Sequence, residues 1–242
     1  MKLVLAHAWL ITLTLLRYPG YVVPTLGFPA MFFLFFASPA RGPVASYALC
    51  SFAAFAVIGV AFFQFGVGIA TERASPWELY LRTLPVAPWA RLVARLVSAA
   101  VFAAAAAGVV VAAAIASTDA SLSPARWGQL AAVLVLGIVP FGCLGIALGY
   151  WASPRAALPL ANVLYLALSF GGGLWIRPAR LPHAVRAISE FLPTRHLANA
   201  LAGVVRGSPW QAQDWLALAA FSVLFAAAAL VGYRRDEGQR FR

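Results

Sequence analysis

Apolar residues run along this chain in long stretches, separated by short clusters of proline, glycine and charge. A helix that spans a bilayer needs about 20 mostly apolar residues, because the hydrocarbon core is about 30 Å thick and each residue rises about 1.5 Å. Six stretches read as spans: 21–38, 44–70, 92–116, 127–151, 156–176 and 210–233. Prolines at Pro24 and Pro29 predict kinks in the first. Gly145 and Gly149 in the fourth stand at the GxxxG spacing that permits close helix approach, a weak signal in a glycine-rich stretch.

The segments between the spans differ in kind. Residues 1–18 are apolar but short, bounded by Lys2 and Arg17, and read as a helix lying in the membrane interface. The Met1-Lys2 start resembles a signal peptide, but no small-residue cleavage site follows, so the segment is expected to be retained. Residues 177–208, rich in proline and arginine, are too polar to span and apolar enough to hug the membrane as short helices. The tail from Arg234 onward reads as polar.

Composition fits lipid as the solvent. The chain of 242 residues is 63% hydrophobic and 10% charged, where soluble domains carry roughly 25% charge. The spans leave no room for a separate soluble domain, so 1–242 reads as one transmembrane domain, and any catalytic domain it serves is expected on another polypeptide. The net charge of +11 comes from arginines lying between apolar stretches, which fits topology and lipid headgroups and does not call for nucleic acid. Six spans put both termini on one side. With the termini inside, eleven of the eighteen basic residues are cytoplasmic, and this bias favours a multi-pass protein of the cell membrane with cytoplasmic termini.

Candidate chemistry is sparse. Cys50 and Cys143 lie in apolar stretches without metal-ligand spacing, and His7, His183 and His196 are far apart. No catalytic set, metal site or cofactor motif is visible, and no acidic residue lies deep in a span, which argues against an ion-coupled relay. Gln64, Ser98, Asn162 and Ser169 are the polar residues within spans. They suit interhelical hydrogen bonds, with Gln64, Asn162 and Ser169 as the alternative candidates for a translocation path.

The most informative stretch is Thr71 to Arg91. Ser75 as N-cap, Pro76 in the first turn and Glu78 at N3 outline a capping box for a short helix that Pro85 and Pro88 end. Trp77, Leu81 and Leu84 fall on one side, and Glu78 and Arg82 are spaced to pair. This is either an ordinary surface helix or a docking element for a cytoplasmic partner.

Glu72-Arg73 directly after a span, a short helix, then Thr83-Leu84-Pro85-Val86 resembles the coupling-helix region of ABC-2 type transporter permeases. Leu16-Arg17-Tyr18-Pro19 resembles that family's boundary after an interfacial helix. The run from Gly173-Leu174-Trp175 through Leu181-Pro182 and Leu192-Pro193 to Arg206-Gly207 resembles its outer-leaflet segment. The family often has Gly where Pro76 stands and Lys where Arg95 stands.

The resemblance implies an all-α membrane protein with six transmembrane helices, an N-terminal interfacial helix, a cytoplasmic coupling helix between spans 2 and 3 (region 71–91), and short outer-leaflet helices between spans 5 and 6. It also implies a permease subunit without catalysis of its own. Its partners would be membrane lipid, a second permease (a copy of itself or a paralogue) and two copies of a separate ABC ATPase. Glu72, Arg73, Trp77, Glu78, Arg82 and Pro85 would dock in the ATPase groove. The apolar spans suit an amphiphilic or hydrophobic cargo for export. A stand-alone membrane enzyme, a lipid-handling protein and an immunity or anchor component are the competing classes.

Overall fold

The computed structural model describes residues 2–76 and 88–240, and every regular element among them is helical. In chain order these are α1 (Lys2–Leu16), α2 (Pro19–Ala37), α3 (Pro43–Arg73), α4 (Pro88–Ser117), α5 (Pro124–Trp151), α6 (Pro154–Gly171), α7 (His183–Ser189), α8 (Pro193–Arg206) and α9 (Ala212–Arg240). A 3-10 turn at Pro178–Arg180 precedes α7. Helices α2 to α6 and α8 each begin on a proline, whose fixed φ suits the first turn and whose missing N–H has no partner there anyway.

Among the described residues five helices are long and apolar enough to cross a membrane: α2, α3, α4, α5 and α9. Helix α6 is not among them, because Arg155, Pro159 and Asn162 dilute its 18 residues. It nevertheless runs between the two ends of the bundle. It starts next to Ala152, whose carbonyl accepts a bond from Arg73, and it ends close to Gly173, whose carbonyl accepts the Tyr47 hydroxyl at 3.0 Å. Helix α1, about 22 Å long at 1.5 Å per residue, falls short of the hydrocarbon thickness. It packs on α4 with Ala8 and Thr12 buried.

Three details depart from the sequence reading. The predicted kink at Pro24 takes the form of a π-helical turn, Val23–Gly27, and a second π turn occurs where no proline stands, at Phe62–Val67 of α3. Helix α5 is interrupted at Ile138, where Pro140 removes a backbone donor. The tail from Arg234 is not separate from the last helix: α9 continues through it to Arg240, held by side-chain partners described below.

Helix α3 is the axis of the bundle. In its most apolar eighteen-residue stretch 78% of positions are buried, against 17% to 39% in the other four long helices. Around it pack α2, α4, the second half of α5, α6 and α8. The Tyr165 ring of α6 stacks on Phe55 at 4.4 Å, and its hydroxyl donates to the Phe55 carbonyl at 3.0 Å. Trp175 meets Phe55 edge-on at 5.4 Å. Tyr165→Phe is expected to cost about 0.6–1 kcal/mol, the size of one interhelical hydrogen bond in a membrane bundle. A titration of the detergent-solubilised chain with denaturant reads this directly, and a cost near 3 kcal/mol would mean the hydroxyl holds more than that carbonyl.

Gly145 and Gly149, the weak GxxxG signal, pack α5 directly onto the π turn of α3. A Cβ on Gly145 would stand 2.7 Å from the Ala61 carbonyl oxygen, and one on Gly149 would stand 2.7 Å from both the Phe65 carbonyl oxygen and the Ile69 Cβ. The close approach therefore depends on the absence of side chains at both positions.

Candidate functional site

The last turn of α3 carries two adjacent residues of opposite charge, and each ties the helix to a different neighbour. Glu72 takes a guanidinium N–H of Arg95 from α4. The other end of that guanidinium donates to the Gln64 backbone carbonyl at 2.8 Å. That carbonyl belongs to the π turn, where the ordinary i to i−4 ladder is broken and acceptors are left over. Arg95 reaches it by crossing Gly68, where a Cβ would stand only 2.8 Å from its Nη1. The planar fork of arginine reaches a carboxylate and a carbonyl at once, a geometry a single ammonium reproduces poorly. This gives a physical role to Arg95, which stands where the resembling family often has lysine.

Arg73 turns the other way. Its Nη1 pairs with Asp236 of α9 at 2.5 Å, its Nη2 donates to the Ala152 carbonyl at the end of α5 at 3.1 Å, and its charge lies 5.9 Å from the centre of the Tyr150 ring. Neighbouring contacts tie the same two helices: Trp151 Nε1 donates to the Ala228 carbonyl at 2.9 Å, the Arg235 guanidinium lies 4.6 Å from the Trp151 ring centre, and Tyr150 meets Tyr233 edge-on at 5.5 Å. Three long helices are thereby clamped together by the residue that follows Glu72.

Residues 77–87 connect α3 to α4. The sequence candidates Trp77, Glu78, Arg82 and Pro85 lie outside the described residues, and so, with Glu78, does the second partner of the predicted capping box. Glu72 and Arg73 are described and stand at the stem of that connector. The Glu72–Arg95 pair joins its two sides, since Arg95 lies two turns into α4.

The three candidates for a path are not brought together. Gln64 is 4% exposed and neither of its amide atoms has a hydrogen-bond partner. Ser169 is fully buried and likewise unpartnered. Asn162 donates to the Leu158 carbonyl of its own helix at 3.1 Å. Sequence reasoning missed Asp236, placed in a polar tail. It also missed a buried cluster at the opposite end of the bundle, where Asp214 accepts from Asn199 at 3.0 Å and lies 2.8 Å from His196 Nδ1. One signal was available: only seven acidic residues face eighteen basic ones, so a half-buried arginine at a helix end had few candidate counter-charges.

An all-helical bundle with several membrane-length helices among the described residues defines a multi-pass membrane protein. The family model described as ABC-2 family transporter protein matches residues 40–231, and the chain belongs to that family of transporter permeases, which generally work with an ATPase partner. It is 26% identical over 228 residues to a Bacillus subtilis (strain 168) protein named "Putative transport permease YvfS", covering 92% of this chain and 93% of that protein. No solved structure matches the chain. The matched region contains Glu72, Arg73 and Arg95 but ends before Asp236.

Proposed function

We propose that this chain is the membrane subunit of an ATP-driven exporter, that residues 71–91 are the element through which a separate ATPase drives it, and that the cargo is an amphiphilic or hydrophobic compound. The observation that carries this is the stem of the connector: Glu72 braces it to α4 through Arg95, while Arg73 locks the same turn to α5 and α9. A push delivered to residues 77–87 reaches four helices through rigid polar contacts rather than through a compliant loop. In this reading Glu72, Arg73, Trp77, Glu78, Arg82 and Pro85 form the coupling surface.

The rest of the assembly follows from the same reading. The chain is one transmembrane domain, α6 is a sixth crossing, both termini are cytoplasmic, α1 lies in the inner interface and residues 177–208 line the outer leaflet of the cell membrane. Two copies, or one copy and a paralogue, work with two ATPases. Gln64 and Ser169, buried without hydrogen-bond partners, are the polar groups assigned to the path, and Asn162 is the third candidate. The permease itself performs no catalysis. It needs two conformations that the nucleotide state of the ATPase favours differently.

The test is transport and ATP hydrolysis measured together in liposomes holding the chain and its ATPase. The Glu72–Arg95 pair is exposed on the Glu72 side, with 58% of that side chain open to solvent, so it adds little to stability, about 0–1 kcal/mol. Glu72→Ala should therefore leave the folded protein in place, yet reduce cargo transported per ATP by about tenfold, equivalent to about 1.4 kcal/mol of lost coupling. Full coupling in Glu72→Ala, or stimulation of hydrolysis by sugars or ions but never by amphiphiles, would overturn this reading.

A further inference from the structure

One cavity is chemically unlike the rest of the bundle. It lies at the end of α3 remote from Arg73, between the start of α3, the turn after α6 and helix α8. It holds about 380 Å³, and Tyr47, Arg177, Pro178, Arg195, Asn199 and Arg206 are among the residues lining it. The volume is at the small end of ligand pockets, roughly 300–1,000 Å³. Three guanidinium groups share this wall, and all three bear electrostatically on the Tyr47 hydroxyl. Among the described residues no carboxylate lines the cavity. Two acids at this end are already engaged: Asp214 is held by Asn199 and His196, and Asp119 accepts the Gly42 backbone N–H at 2.8 Å.

Arg195 carries the argument furthest. Its Nη1 is fully buried and has no hydrogen-bond acceptor. A buried charged donor without an acceptor is costly and uncommon in folded proteins, and here two further like charges add repulsion. The Tyr47 hydroxyl donates to the Gly173 carbonyl at 3.0 Å and forms no hydrogen bond with this nitrogen. A bound oxyanion relieves the repulsion among the three guanidinium groups and accepts from those of their N–H groups that face the cavity. Guanidinium forks match the geometry of carboxylate and phosphate alike, and three of them on one wall suit the higher charge of phosphate.

We propose that this cavity is a binding site for a phosphate group, carried either by an anionic lipid headgroup or by a soluble phosphate. The assignment does not depend on the transport reading.

The test uses the full chain in a non-ionic detergent and follows its thermal unfolding midpoint against added ligand, which gives an apparent Kd by linkage. Dioctanoyl phosphatidic acid should raise the midpoint, whereas dioctanoyl phosphatidylcholine, whose choline cation meets three arginines, should not. Arg195→Gln should weaken the apparent Kd by about tenfold or more, as loss of a charge-assisted fork does. Arg177 and Arg206 are exposed, so Arg177→Gln with Arg206→Gln should keep or slightly raise the ligand-free midpoint, as repulsion is relieved, and weaken binding several-fold. Arg155→Gln, at the other end of α6, should change nothing. If inorganic phosphate stabilises as well as the lipid at equal concentration, the site takes a soluble phosphate; if only the lipid does, it takes a headgroup, and either result supports the proposal. No stabilisation by either, equal stabilisation by the choline lipid, or a full response retained in both Arg195→Gln and the Arg177/Arg206 double variant overturns it. No ATPase and no transport enter the measurement, so its failure is distinct from failure of the transport reading.

Discussion

Arg73→Ala is expected to destabilise the folded chain by about 3–5 kcal/mol, the usual loss when one partner of a buried ion pair is removed. The reason lies in what is left behind. The Asp236 side chain is 9% exposed, so losing Arg73 takes a close counter-charge from a poorly solvated carboxylate, and the Ala152 carbonyl loses a donor. Asp236→Asn should act in the same direction but more weakly, because an amide can still meet a guanidinium. The double variant Arg73→Met with Asp236→Leu should recover most of the loss, since a well-packed apolar pair often replaces a buried ion pair without penalty. Denaturant unfolding of the four proteins in one detergent makes the comparison. A loss below 1 kcal/mol for Arg73→Ala would show that the clamp contributes no more than a surface pair.

The second large effect is expected at the glycine contact between α5 and α3. Adding a methyl at Gly145 or Gly149 places it against backbone carbonyl oxygens of Ala61 and Phe65, which cannot rotate away as a side-chain tip can. The helices must separate, and overpacking of this kind costs about 1–3 kcal/mol per site. The two positions share one contact surface, so Gly145→Ala with Gly149→Ala should cost less than the sum of the singles, because the first separation makes room for the second methyl. Unfolding free energies of the singles and the double decide it. Strict additivity would mean that each site relaxes locally and the helices stay in place. Gly142→Ala, where nothing lies within 4 Å of the added carbon, is the control and should be close to neutral.

The helical class of this fold was legible because lipid demands it. A chain this apolar has few other ways to satisfy its backbone, and prolines at 43, 124 and 154 mark helix starts within three residues of the boundaries read from hydropathy. The special place of α3 was not legible. Its mean hydropathy of 2.1 is lower than that of α4 or α5, at 2.4 and 2.5, yet it is the most enclosed. Lipid tails and protein interior are equally apolar, so a sequence pattern does not tell a helix facing one from a helix facing the other. At the candidate site, Glu72 and Arg73 were readable as a charged helix end. Their partners were not, because Arg73 and Asp236 are 163 positions apart and no local periodicity connects them. The arginine-lined cavity was hidden for the same reason: Tyr47 comes from one helix and its three arginines from two segments far along the chain.

The enclosure of α3 also bears on how the protein is made. It is among the first long helices to emerge during synthesis, but α5, α6 and α8, which wall it in, come later in the chain. Until they arrive it must reside among lipids with only α2 and α4 against it, and its apolar run from Phe52 to Val60 suits that interval as well as it suits the finished interior. A charged residue introduced midway along it would therefore be penalised twice, first at insertion and again at assembly. Amounts of protein reaching the membrane should fall for such variants even where a later suppressor on α6 restores the packed bundle.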